Sequence, residues 1–91
     1  MPQHYFIKAQ VSDLAAAAEL VRVFAGEKKE EVRAIYIAPA DAGRACEVLV
    51  ELRTSADEVD RILKLLSGVQ GFIAASVESL SAKLMWEGLR W

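Results

Sequence analysis

Residues 44–78 read RACEVLVELRTSADEVDRILKLLSGVQGFIAASVE, and the reading of this stretch decides the fold. Its opening, Arg44 to Arg53, alternates strictly: Cys46, Val48, Val50 and Leu52 face one way, and Glu47, Leu49, Glu51 and Arg53 face the other. Period two with β-branched residues predicts a strand with one buried face. Thr54 or Ser55 then caps a helix with Asp57 and Glu58 in its first turn, where the helix dipole favours negative charge. Val59, Ile62, Leu63, Leu66 and Val69 recur at helical spacing and form its apolar stripe. Ser67-Gly68 ends the helix, and Gln70–Glu78 alternates again with Ile73, Ala75 and Val77 directed inward. The stretch is a strand, a helix and a strand.

The residues before it repeat that order. In HYFIKAQV, from His4 to Val11, the odd positions Tyr5, Ile7, Ala9 and Val11 are apolar and only Phe6 breaks the alternation. Ser12 or Asp13 supplies a helix cap. Leu14, Ala17, Ala18, Val21, Phe24 and Ala25 follow at helical spacing, and Gly26 is a natural stop. Glu27-Lys28-Lys29-Glu30-Glu31 reads as a solvated turn, and Val32–Ala38 as a strand ended by Pro39. Pro39-Ala40-Asp41-Ala42-Gly43 suits a hairpin connection back to Arg44. The chain therefore reads β-α-β-β-α-β. Two such half-repeats predict an α+β, ferredoxin-like sandwich: a four-stranded antiparallel sheet, strand order 4-1-3-2, with both helices on one face.

That arrangement leaves one sheet face bare. The predicted bare face carries Phe6, Lys8 and Gln10 on the first strand, and Glu47, Leu49, Glu51 and Arg53 on the third. Phe72, Ala74 and Ser76 are expected there from the fourth. Adjacent first and third strands put Lys8 near Glu47 or Glu51, a cross-strand pairing. Phe6, Leu49 and Phe72 make an exposed apolar patch of the kind that marks contacts. Residues 1–78 suffice for the sandwich, which leaves 79–91, SLSAKLMWEGLRW, as a C-terminal tail. It holds Leu84, Trp86 and Trp91, and both tryptophans of the chain. Burying each would contribute about 2–3 kcal/mol, so the tail is expected to pack on its own domain or on a partner.

Composition narrows the function. The chain has 91 residues, 54% of them hydrophobic, enough for one core. Thirteen acidic residues against 11 basic ones, net −2, argue against nucleic-acid binding. No apolar run reaches the roughly 18–20 residues of a membrane span. Met1-Pro2-Gln3-His4-Tyr5 does not read as a signal peptide, and a single cysteine makes no internal disulfide, so a soluble, cytoplasmic protein is expected. His4 is the only histidine, Cys46 lies on an inward face, and there is no Cys-x-x-Cys pair, phosphate loop or dinucleotide fingerprint. No catalytic residue, metal ligand or cofactor is expected.

Residues 54–78, with a capped helix, then Leu65-Leu66-Ser67-Gly68-Val69, then an alternating strand, resemble the second half of ACT domains. They also resemble the related effector-binding domain of leucine-responsive regulators. The resemblance implies a β-α-β-β-α-β module that oligomerises through sheet edges or faces and takes a small-molecule effector at a subunit interface. Val11-Ser12-Asp13-Leu14 stands where ACT domains carry an Asp-x-Pro-Gly-like turn. Gly43-Arg44-Ala45-Cys46 keeps only the glycine of the regulators' Gly-x-Tyr-Asp-like passage.

The expected function is a non-enzymatic regulatory or assembly module that self-associates or binds a protein partner. Its interface candidates are Phe6, Leu49, Phe72, Leu84, Trp86 and Trp91. The alternative is a small enzyme of the dimeric α/β-barrel kind, with a pocket between two open faces. Lys8, Glu47, Glu51 and Arg53, with His4, are its polar candidates.

Overall fold

A computed structural model describes residues 3–27, 30–40, 43 and 45–79. Six elements follow in the expected order: β1 (Gln3–Val11), α1 (Leu14–Glu27), β2 (Val32–Pro39), β3 (Cys46–Thr54), α2 (Ala56–Ser67) and β4 (Phe72–Ser79). The strands form one antiparallel sheet in the order β2-β3-β1-β4, the ferredoxin-like topology read from the sequence. Leu84, Trp86 and Trp91 lie outside the described residues.

The alternation of β1 and β3 produces the core directly. Ile7, Ala9 and Val11 meet Val50, Val48 and Cys46 in register, all on the helix side. Leu52 extends the same row. Ser55 caps α2 by accepting from the Glu58 amide at 3.3 Å, and Val59, Ile62 and Leu66 are buried against the sheet. Thr54, the other cap candidate, is buried instead, and its hydroxyl donates to the Glu31 carboxylate. Since the Arg53 amide also donates to the Glu31 carbonyl at 2.8 Å, the α1–β2 turn is tied to the end of β3.

Asp13 caps α1, its carboxylate accepting from the Ala16 amide at 2.9 Å. Of the expected stripe of α1, Ala17 and Phe24 are buried, but Leu14, Ala18, Val21 and Ala25 are not; the buried face is Ala16, Ala17, Leu20 and Phe24. Phe24 and Leu20 are the large side chains of this helix and set its rotation; Leu14, at the first turn, is exposed. Alanines occur all round the helix, so they carry little information about phase.

The second correction is in β4. Val11 lies opposite Phe72 while Gln10 lies opposite Ala74, so Ile73 is one residue too many. This is a β-bulge, which shifts the alternation by one. Phe72 therefore packs on the helix-side core with Ala75 and Val77, and the expected place of Phe72 on the bare face is overturned. Ile73, expected inward, is 56% exposed.

The bulge adjoins a tight corner between the two half-repeats. The Ser12 amide donates to the Gly71 carbonyl at 2.8 Å, joining the β1–α1 corner to the α2–β4 turn. Gly71 has φ +91°, and a Cβ there would stand 2.7 Å from both Ala16 Cβ and Ser12 Oγ. Only glycine fits without displacement. Among the described residues, no helix is long and apolar enough to cross a membrane.

Candidate functional site: the bare sheet face and its β2 edge

Both helices lie on one side, so among the described residues no element covers the outward residues of the four strands. Register defines their rows. Phe6 stands between Glu51 on β3 and Glu78 on β4, and Lys8 between Leu49 and Ser76. On the far side of β3, Tyr36 pairs with Leu49 and Ala38 with Glu47. These rows enclose a concavity of about 330 Å³ with an apolar floor of Phe6, Leu49, Tyr36 and Ala38. Lys8, Glu47, Ser76 and Glu78 complete its wall.

Lys8 Nζ lies 3.6 Å from Glu47 Oε1, the cross-strand pairing expected from adjacent first and third strands. With the two side chains 54% and 34% exposed, the pair contributes at most about 1 kcal/mol. Glu51 and Arg53 share the face but lie outside the lining of the concavity. Of the apolar candidates, Phe6 and Leu49 come together there, whereas Phe72 does not.

Tyr36, Ala38 and Glu78 complete the site and were not among the candidates. The outward phase of β2 could not be read from VRAIYIA, because the register slips between Val32 and Ala34. One signal was available: the 4-1-3-2 order makes β2 an edge strand beside Leu49. A large aromatic in that strand is within reach of the same face.

The β2 edge is itself unusual. Ala34–Pro39, AIYIAP, carries no charge, and its pairing to β3 is regular throughout. Tyr36 is 58% exposed on the bare side and Ile37 is 44% exposed on the helix side. Edge strands that stay single are usually interrupted by charge or a bulge. The opposite edge has both, with its bulge at Ile73 and a carboxylate at Glu78, whereas on β2 the charge of Arg33 and the slip between Val32 and Ala34 fall before the Ala34–Pro39 run. Pro39 ends the β2 run where its missing amide removes no ladder bond.

Cys46 is buried on the helix side, and among the described residues no three His, Cys, Asp or Glu side chains gather to hold a metal ion.

No protein-family model matches the chain, and no curated protein sequence matches it. Solved structures do. The ACT domain of a GTP pyrophosphokinase from Chlorobium tepidum superposes with a TM-score of 0.73 at 14% identity, over 86% of this chain and 100% of that one. An uncharacterized protein from Thermotoga maritima gives 0.72 at 16% identity, over 88% and 99%. The C-terminal domain of the MgtC protein from Mycobacterium tuberculosis gives 0.64 at 16% identity, over 86% and 87%. The chain thus has the ferredoxin-like fold of the ACT type, and at these identities the likeness is one of fold.

Proposed function

We propose that the chain is a non-enzymatic regulatory or assembly module that self-associates through its β2 edge. The uncharged, regular run Ala34–Ala38, exposed from Tyr36 to Ala38, carries this reading. Antiparallel pairing of two such edges about a two-fold axis at Tyr36 would extend the sheet from four strands to eight. Each new backbone hydrogen bond contributes about 0.5–1.5 kcal/mol, and the pairing also buries Tyr36 and Ile37.

The same pairing brings the two concavities together. Tyr36 and Ala38 line each one on the β2 side, so a second copy becomes the neighbouring wall. A small, partly apolar effector bound there would touch both subunits, and its binding would be linked to assembly. Two of the fold neighbours are domains taken from larger proteins, an ACT domain of a GTP pyrophosphokinase and the C-terminal domain of an MgtC protein. Modules of this shape working as accessory parts of larger systems support the regulatory reading.

Ile37→Lys tests the edge. Ile37 is on the helix side and partly exposed, so the substitution puts a charge on the edge without entering the concavity. Sedimentation should give a dimer for the wild-type chain at tens of micromolar and a folded monomer for the variant. A wild-type monomer, or a variant that still dimerises, would refute the proposal.

A further inference from the structure

The residues of α1 that helical spacing placed inward, but the structure leaves uncovered, form a second apolar face. Leu14 is 65% exposed, Ala18 and Ala25 are exposed and Val21 is half-buried, while Ala17, Leu20 and Phe24 fill the core from another side of the helix. A helix that is apolar all round is ordinarily covered all round. We infer that this second face packs on the same face of α1 in a second copy, as a helix pair laid over the seam between two β2 edges. The inference rests on the edge pairing proposed above and adds a second contact surface to it.

Orientation comes first. A Cβ at Gly71 would stand 2.7 Å from Ala16 Cβ, so the Ala16 flank of α1 faces the α2–β4 turn. At about 100° per residue, the row Leu14, Ala18, Val21 and Ala25 is centred about 170° round the helix from Ala16. In the order β2-β3-β1-β4, the flank away from β4 is the flank towards β2. The row therefore overhangs the free edge, on the same side of the sheet as Ile37. Distance agrees. α1 packs on β3 and β2 more than on β1. With about 4.8 Å between strands it lies about 5–7 Å from a two-fold axis beside β2, which sets the two copies of α1 about 10–14 Å apart. A helix with its side chains is about 10–12 Å across, so the two meet.

Symmetry supplies the fit. Edge strands paired antiparallel bring the helices together antiparallel as well. That sets Leu14 against Ala25 of the second copy and Val21 against Ala18, a large side chain over a small one at each place. The row carries no charge, and Glu19 and Arg22 beside it pair with each other at 3.2 Å. Area calls for such a contact. The edge run Ala34–Ala38 makes a strip of about 17 Å by 10 Å. That is far below the roughly 800 Å² per partner of a standard stable interface. The rise from Leu14 to Ala25 is also about 17 Å, so the helix pair follows the seam along its length. All four helices then share one face of the joined sheet, and both concavities stay open on the other.

Exchanging the two end residues of the row tests the pairing. Sedimentation of the full chain gives the dimer dissociation constant for wild type, Leu14→Ala, Ala25→Leu, the double variant and Ala18→Arg. Leu14, Ala18 and Ala25 are exposed in the single chain, so these variants fold. Ala18→Arg, which puts a charge into the row, should weaken the dimer at least tenfold. Ala25→Leu sets leucine against leucine and should weaken it about tenfold, whereas the double variant restores large against small and should return to within about threefold of wild type. A double variant as weak as the product of its two single effects would overturn the helix pair, as would an Ala18→Arg chain that dimerises like wild type. Ile37→Lys separates this inference from the edge reading. A dimer lost with Ile37→Lys but indifferent to Ala18→Arg keeps the edge and removes the helix pair. One lost with Ala18→Arg but indifferent to Ile37→Lys removes the edge and leaves the helix pair as the interface. A wild type that sediments as a monomer overturns both.

Discussion

Replacing Gly71 by alanine strikes the corner where the two half-repeats meet. Its φ of +91° is outside the range an L side chain adopts easily, which costs about 1–2 kcal/mol. The added methyl would also stand 2.7 Å from Ala16 Cβ, on the buried face of α1, and 2.7 Å from Ser12 Oγ. The serine hydroxyl can rotate away, but the alanine is fixed by the helix, so α1 or the α2–β4 turn must move. Overpacking of that kind adds about 1–3 kcal/mol. The sum is a loss of about 2–5 kcal/mol. At about 4–8 °C per kcal/mol for a domain of this size, the melting temperature should fall by about 10–40 °C. Thermal unfolding followed by circular dichroism measures it. Gly43→Ala is the control: its φ is +67°, but a Cβ there meets nothing within 4 Å, so only the conformational part applies. If Gly71→Ala melts no lower than Gly43→Ala, the close packing of the two half-repeats at this corner is wrong.

Two further substitutions probe the helix that the sequence read least well. Gly26→Ala should stabilise the domain by about 0.5–1 kcal/mol in urea unfolding, since Gly26 lies within α1 and a Cβ there meets nothing within 4 Å. A loss of stability would show that α1 does not extend past that residue. Phe24→Ala should cost about 3–5 kcal/mol, a large share of the roughly 5–15 kcal/mol that holds a domain together, because Phe24 is fully buried. A cost below about 1 kcal/mol, as at an exposed site, would contradict the burial of Phe24 and the rotation it gives α1.

What the sequence revealed depended on contrast between neighbouring residues. β3 alternates Val and Leu against Glu and Arg, and α2 sets five apolar residues among charges, so both faces were legible and the strand order followed. The pairing of Lys8 with Glu47 then followed from adjacency alone. α1 lacks such contrast, because its alanines fit either side. At Phe72-Ile73 two large apolar residues stand together, and periodicity cannot say which turns inward. The β-bulge settles it in favour of Phe72, since the tight Gly71 corner fixes where β4 begins. The β2 contribution to the site, Tyr36 and Ala38, was hidden for a related reason. The phase of that strand depends on a register slip between Val32 and Ala34 that only tertiary structure defines.

Amide hydrogen exchange along the two edges of the sheet tests the central claim most directly, because one sample contains both the edge proposed to pair and an internal control. Amides within Ala34–Ala38 of β2 should gain protection as protein concentration rises, while those within Ala74–Glu78 of β4 should not. Exchange that is equally fast at both edges across the concentration range would contradict it.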